Sequence, residues 1–408
     1  MWFQLFINFL TARKMNKAIT AALLLCAALT IQARTVDDVV AEVIANDPAL
    51  IQERARLQGL EDRIHQENTL KGPEVGMSYK WGMDGVGNKW DLEVAQEFEW
   101  PGLYRARSRQ AAAQAGAFAT LYRAKEVEQA LLVRNAVYTL LSAKADVDLL
   151  AQWENNLAQL AQAYDRLLKR GETTLLEVGK INLEIFQARV KIAEAQARMS
   201  TAEADLKALN NGSMPANLPD VTARESIRPL KWYEDMLLEN DPEIAAYSRL
   251  DNLARQEAKV TAAGAAPGFK LGYVYENEAG ENFHGFSFAL NLPSWNNRAA
   301  TRASKAAVVE AMYGKEMKVL ERMAQVESRH AVATKALAII EAGQDTFGSE
   351  FDYMTVLLKA FDGGKITLLE FIREQNDYLQ AAMDYNALVL EYNLAAASLN
   401  RADFAAHD

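Results

Sequence analysis

Cysteine is nearly absent. The 408-residue chain has one, Cys26, which excludes a disulfide framework and any cysteine-based zinc site. Histidine is almost as scarce. The four (His65, His284, His330, His407) share no metal-ligand spacing. Helix breakers are also sparse, with 21 Gly and 9 Pro. That is roughly 7% of positions, against about 12% in average usage. Basic charge is in deficit too. A net charge of −10 argues against a general nucleic-acid binder. Half of the chain is apolar and 24% is charged, so wholesale disorder is excluded.

What is present begins with a leader. Lys14 and Lys17 precede an apolar run from Ala18 to Ile31, then Ala33 and a polar stretch. This is the layout of a secretory signal peptide over residues 1–33, cleaved after about Ala33. The run is too short to span a bilayer, which takes about 20 residues. Met15 is an alternative start. Cys26 lies inside the run and follows Leu25, where a lipoprotein signal has a small residue.

The remainder is duplicated. Asn46-Asp47-Pro48 returns as Asn240-Asp241-Pro242. Gly171, Thr174, Leu175, Leu176 and Glu177 return as Gly364, Thr367, Leu368, Leu369 and Glu370. The pattern predicts a first repeat over 36–210, a loop over 211–221 and a second repeat over 222–405. Each repeat reads helix, hairpin, very long helix, turn, helix. The first has its hairpin at 74–100, its long helix at 103–170 and its turn at 171–174. The second has them at 269–292, 296–362 and 363–367. A helix over 103–170 is roughly 100 Å long, more than any globular core requires. Within it Leu150, Trp153, Leu157, Leu160, Tyr164 and Leu167 step by three and four, the seam of a coiled coil. The alanines Ala111 to Ala113 and Ala306-Ala307 suggest close backbone packing.

The hairpins alternate. Val75, Met77, Tyr79, Trp81 and Met83 share one side of the first strand; Trp90, Leu92, Val94, Phe98 and Trp100 share one side of the next. Gln96 is the single polar break. Phe269, Leu271, Tyr273 and Tyr275, then Phe286, Phe288, Leu290 and Leu292, repeat the arrangement. Strands of about 10 residues, apolar on one side with aromatics near the ends, match a transmembrane barrel. Trp81, Trp90, Leu92, Tyr273 and Phe288 are the expected lipid-facing residues. Four strands cannot close a barrel, and open edges are not tolerated in lipid. Several copies must therefore share one, and the strand count does not say how many.

With this unit in view, the chain resembles the TolC family of outer-membrane efflux ducts over nearly all of residues 36–405. The paired Gly-x-x-Thr-x-Leu-Glu turns, the Asn-Asp-Pro helix starts and the proline-ended strands (Pro101-Gly102, Pro293) carry the resemblance. Gln96 to Gly102 and Arg105 look most like its cation-efflux, CzcC-like branch. The resemblance implies a mainly α fold with a transmembrane β part. Three copies make a 12-stranded barrel on a long α-helical periplasmic tunnel. It further implies an outer-membrane location, no enzymatic activity and no cofactor. The partners would be a periplasmic adaptor, an inner-membrane pump of the RND type, outer-membrane lipid and no nucleic acid. Gly171, Thr174, Gly364 and Thr367 would form the tip that docks the adaptor. Glu370, Arg373 and Asp377 would lie at the periplasmic aperture. Glu370, Asp377, Asp384 and Glu391 recur every seven residues beside an equally spaced aromatic set, Phe371, Tyr378, Tyr385 and Tyr392. The acidic stripe then faces either bulk water or the tunnel, and Arg373 either pairs with an acidic neighbour or leaves it free. Met312, Met317 and Met323 read as core filler rather than a metal path. A secreted trimeric adhesin or fibre, and an outer-membrane enzyme, are the alternatives; no catalytic motif supports the latter.

Overall fold

The computed structural model describes residues 34–67, 69–83, 87–219, 224–292, 297–347 and 353–405. The expected signal peptide (1–33, with Met15 and Cys26) and Pro293 lie outside the described residues, as does part of the inter-repeat loop.

The first repeat opens with two helices rather than one. They are α1 (Val36–Asn46) and α2 (Pro48–Glu67). The second repeat opens the same way, with α5 (Leu230–Asn240) and α6 (Pro242–Ala263). The Asp-Pro dipeptide makes the break. A proline ring disfavours helical backbone in the residue before it, and Asp47 and Asp241 are both extended (φ −63 ψ 116; φ −67 ψ 118). Each proline then takes the first helical position, where its missing N–H costs nothing. Asp241 accepts hydrogen bonds from the Glu243 and Ile244 amides at 3.0 and 3.2 Å, an N-cap.

The long helix α3 spans Pro101–Lys169, 69 residues and about 100 Å. It starts two residues before the expected 103 because Pro101 is tolerated in a first turn. It returns through α4 (Leu175–Leu209). In the second repeat α7 (Asn297–Phe347) and α8 (Tyr353–Asp362) occupy the expected long-helix segment, with residues 348–352 not described. α9 (Leu368–Leu399) is followed by a short 3-10 helix, Asn400–Ala405.

No single core holds these helices. Buried clusters follow one another along the bundle instead. At one level Val39, Val43, Val133, Val137 and Leu206 join α1, α3 and α4. At another, Tyr233, Val326, Ile340 and Tyr392 join α5, α7 and α9. Leu150, Trp153 and Leu157 of the expected seam are buried against α4 and α9, and Leu160 and Tyr164 pack further along. On α4, Ile181, Ala188, Ala195 and Ala202 are buried at seven-residue spacing. Small residues there let the α3 and α4 backbones approach closely. Ala306 and Ala307, expected in such a role, are exposed. Met323 is core filler as expected, but Met317 is 70% exposed.

The strands form one antiparallel sheet in the order β1 (Glu74–Lys80), β2 (Lys89–Phe98), β3 (Gly268–Glu278), β4 (Glu281–Asn291). The two hairpins pair edge to edge through β2 and β3 over 89–98 and 269–278. Ala279-Gly280 closes the second hairpin with both φ positive (+53° and +99°), the backbone of a tight two-residue turn.

The repeats have diverged at their Asp-Pro breaks. Asp241 meets Arg322 at 3.3 Å and Arg401 at 3.2 Å, with Asp241 and Arg322 both buried. Asp47 accepts from the Ala49 amide at 2.7 Å, while its second carboxylate oxygen is buried without a partner. Removing one partner of a buried ion pair costs roughly 3–5 kcal/mol; losing a cap alone costs about 1 kcal/mol. Thermal unfolding should therefore show a much larger loss for Asp241→Ala than for Asp47→Ala, and equal losses would refute the ion-pair assignment.

Candidate functional site

Two regions hold the expected functional residues, the sheet and the helical tip. Register places Trp90, Leu92, Tyr273 and Phe288 on one face. Leu92 lies between Met77 and Tyr275; Tyr273 lies between Val94 and Phe286. Trp81 follows β1, with its ring 6.3 Å from that of Tyr79 on the same side. This face is not covered by the chain's own helices. Met77 is 71% exposed, Phe288 67% and Phe286 91%. Gln96, the polar break, is explained by the backbone. Its side-chain amide donates to the Lys71 carbonyl at 2.7 Å and secures the loop before β1.

The opposite face is charged. Lys270 bonds Glu74 at 2.6 Å, Lys71 bonds Glu97 at 2.9 Å, and Lys89 bonds both Glu276 and Glu278. Glu93 accepts from the Ser287 hydroxyl at 2.5 Å, across the intervening β3. Gly272 makes that reach feasible. A Cβ there would stand 2.4 Å from the Ser287 oxygen and 2.9 Å from a Glu93 oxygen. Strand alternation points to the apolar side and does not distinguish Glu93. The available signal was Gly272 among larger residues, since strand glycines mark close approaches. Phe283 departs from the pattern, falling opposite Glu276 on the charged face.

At the far end of the helices the two turns are near copies. Gly171 (φ +73°) donates to the Leu168 carbonyl and Glu172 to Leu167, both at 3.0 Å. Gly364 (φ +66°) donates to Phe361 and Lys365 to Ala360, both at 2.9 Å. Each is a Schellman stop, where glycine suits the left-handed backbone. Thr174 and Thr367 then start the next helices with reciprocal capping boxes. The Glu370 carboxylate accepts from the Thr367 amide at 2.8 Å and its hydroxyl at 2.9 Å. Glu177 does the same with Thr174. The Thr367 amide, and then its hydroxyl, hold the Glu370 carboxyl below its ordinary value of 4.5.

Arg373 and Asp377 face each other at 3.9 Å, one turn apart and strongly exposed. Asp377, rather than Glu370, is thus the acid nearest Arg373. The heptad stripes separate as expected. Glu370, Asp377, Asp384 and Glu391 are exposed. Phe371 packs on Phe361 at 4.7 Å, Tyr378 on Tyr353 at 5.1 Å and Tyr385 on Phe347 at 5.0 Å. The Tyr392 hydroxyl donates to the Glu225 carbonyl. Beside the turns, Leu175, Leu176 and Leu369 project apolar side chains into solvent. The repeated Thr-Leu-Leu-Glu carried that signal. Glu99, in the segment that suggested the cation-efflux branch, pairs with Arg107 rather than with Arg105. Among the described residues no helix is long and apolar enough to cross a membrane, and no group of His, Cys, Asp and Glu could hold a metal ion.

Residues 39–212 match the family model described as outer membrane efflux protein. No curated protein matches the chain. Several solved structures share its fold. A structure of CusC, titled for conformational changes accompanying folding and transmembrane channel formation, is 16% identical. It superposes with a TM-score of 0.75, covering 90% of this chain and 91% of that one. The Campylobacter jejuni CmeC outer membrane channel is 14% identical at a TM-score of 0.72, with 91% and 85% covered. The open state of the Neisseria gonorrhoeae MtrE outer membrane channel is 15% identical at 0.70, with 90% and 88% covered.

The capping box has a pH signature. A carboxyl whose folded pKa is depressed stabilises above its unfolded pKa and loses that contribution as pH falls through the folded value. Amide exchange protection in the first turn of α9 should hold at neutral pH and fall only below the ordinary carboxylate range. In Glu370→Ala it should already be low at pH 7. Unchanged protection in the variant would remove the box.

Proposed function

We infer that this chain belongs to the outer membrane efflux protein family, is the outer-membrane channel of a tripartite efflux system and conducts passively. Material reaches it from an inner-membrane pump through a periplasmic adaptor and leaves to the exterior. The protein is a channel, not an enzyme, and a secreted adhesin or fibre is not supported. One observation carries the reading. A sheet with an uncovered apolar face and two open edges is joined to long helices, one of them about 100 Å.

In lipid those edges must pair. Three copies, with β4 of each beside β1 of the next, complete twelve strands. The apolar face of Trp81, Trp90, Leu92, Tyr273 and Phe288 then meets outer-membrane lipid, and the charged face with Glu93 lines the lumen. The Gly171–Thr174 and Gly364–Thr367 turns, with Leu175, Leu176 and Leu369 beside them, are the adaptor-docking tip. The resemblance to the cation-efflux branch favours a pump of the RND type, carrying metal ions or small molecules. Glu370, Arg373 and Asp377 sit within the first three turns of α9, on its exposed side. In three copies they converge on the aperture, where acidic side chains favour cations.

Planar-bilayer recording tests the channel. Purified protein should give stepwise conductance, and its absence would contradict the function. Glu370→Ala should raise single-channel conductance and weaken block by divalent cations. If neither changes, Glu370 lies on the outer surface. Leu92→Arg should cost roughly 2–4 kcal/mol at the bilayer midplane and impair assembly, whereas normal assembly would reverse the face assignment. Gly364→Trp and Thr367→Trp should abolish efflux with trimers intact; full efflux in both would leave those turns a purely structural role.

A further inference from the structure

A cleft of 290 Å³ lies where α3 meets α8 and α9, so both repeats contribute to its walls. Its lining combines aliphatic side chains, two aromatics (Trp153 and Tyr378) and four carboxamides: Gln152, Asn155, Asn156 and Gln375. Among the described residues no charged side chain borders it, in a chain that is 24% charged. Two of the lining residues are strained in their hydrogen bonding. Gln375 is 2% exposed, and neither its carboxamide oxygen nor its nitrogen has a partner. Trp153 is 4% exposed and its indole N–H is likewise unpaired.

Gln375 stands in the buried seam of α9, between Phe371-Ile372 and Leu379-Ala382, all of them apolar and buried. A lone polar residue in such a seam can serve to fix helix register, but that role needs a partner across the interface. Gln375 has none. Buried amides without partners are rare and costly, so an amide retained at a cleft wall points to something that occupies the cleft.

We propose that this cleft is a binding site for a small uncharged amphiphile, one aromatic ring carrying an amide or hydroxyl group. The ring packs among the aliphatic side chains Leu149, Leu358 and Leu379, beside Trp153 and Tyr378. The polar group exchanges hydrogen bonds with the carboxamides, Gln375 foremost after a rotation of its side chain. A charged ligand is disfavoured because nothing in the lining would compensate its desolvation. The volume sits near the lower end of small-molecule sites, about 300–1,000 Å³, which suits one ring and one substituent.

Benzamide is the probe. With the full-length protein in mild detergent, saturation-transfer NMR should report saturable binding, and the melting temperature should rise with benzamide concentration. Gln375→Leu removes the amide at similar volume, and Leu358→Trp fills the cleft. Each should weaken binding at least tenfold. A wild-type crystal soaked in benzamide should show the ring beside Trp153 and Gln375. Absence of saturable binding, unchanged affinity in the variants, or density for ordered water alone in the soaked cleft would overturn the proposal. The soak keeps the test decisive if either variant fails to assemble.

Discussion

Every backbone amide and carbonyl at the edge of a membrane sheet needs a partner, because hydrocarbon offers none. That constraint governs the rest of this architecture. Each chain brings four strands, and the outer rims of β1 and β4 are open within one copy. In the proposed assembly closure comes from other copies, and the helices continuing from the strands gather around a common axis. Long helices without a single core make sense in that setting. Their burial is distributed along the bundle in successive clusters, and each level joins its own set of helices.

Duplication supplies the pieces, and divergence gives each half its own character. Both repeats break their first helix at Asp-Pro and end their long helix with glycine. Both start the next with threonine and a capping glutamate. The second repeat, however, surrounds its buried aspartate with Arg322 and Arg401, whereas the first leaves one carboxylate oxygen of Asp47 unpaired. Both halves meet in the sheet, where β2 of one pairs with β3 of the other, and Gly272 lets Glu93 reach Ser287.

Much of this was legible in the sequence because it depends on local rules. Strand alternation assigns Leu92 and Phe288 to one face without knowledge of any neighbour. Glycine and threonine at fixed offsets declare the turns, and the heptad separates Phe371 from Glu370. Less legible features depend on what lies opposite. Asn46-Asp47-Pro48 was visible as a repeat anchor, but a helix break needs the proline's steric effect to be followed through to the backbone. Ala306 and Ala307 resemble a close-packing stripe, yet that role falls to Ala188, Ala195 and Ala202, whose partner helix the sequence does not name. Met317 is exposed and Met323 half-buried against the core although they share a helix six residues apart. Glu370 looks like an aperture residue by its offset from Gly364, and its hydrogen bonds make it a helix cap as well. The cleft at Gln375 needs three helices brought together before it exists.

The sharing of one barrel among copies is the claim on which the account rests, and covalent linkage of its edges tests it most directly. The sequences of β1 and β4 contain no cysteine, so pairs of cysteines can be placed along them without rivals there. Oxidation should join neighbouring chains through these strands and give a denaturing-gel ladder that stops at three. A ladder that extends further, ends at two, or never leaves the monomer would contradict the account.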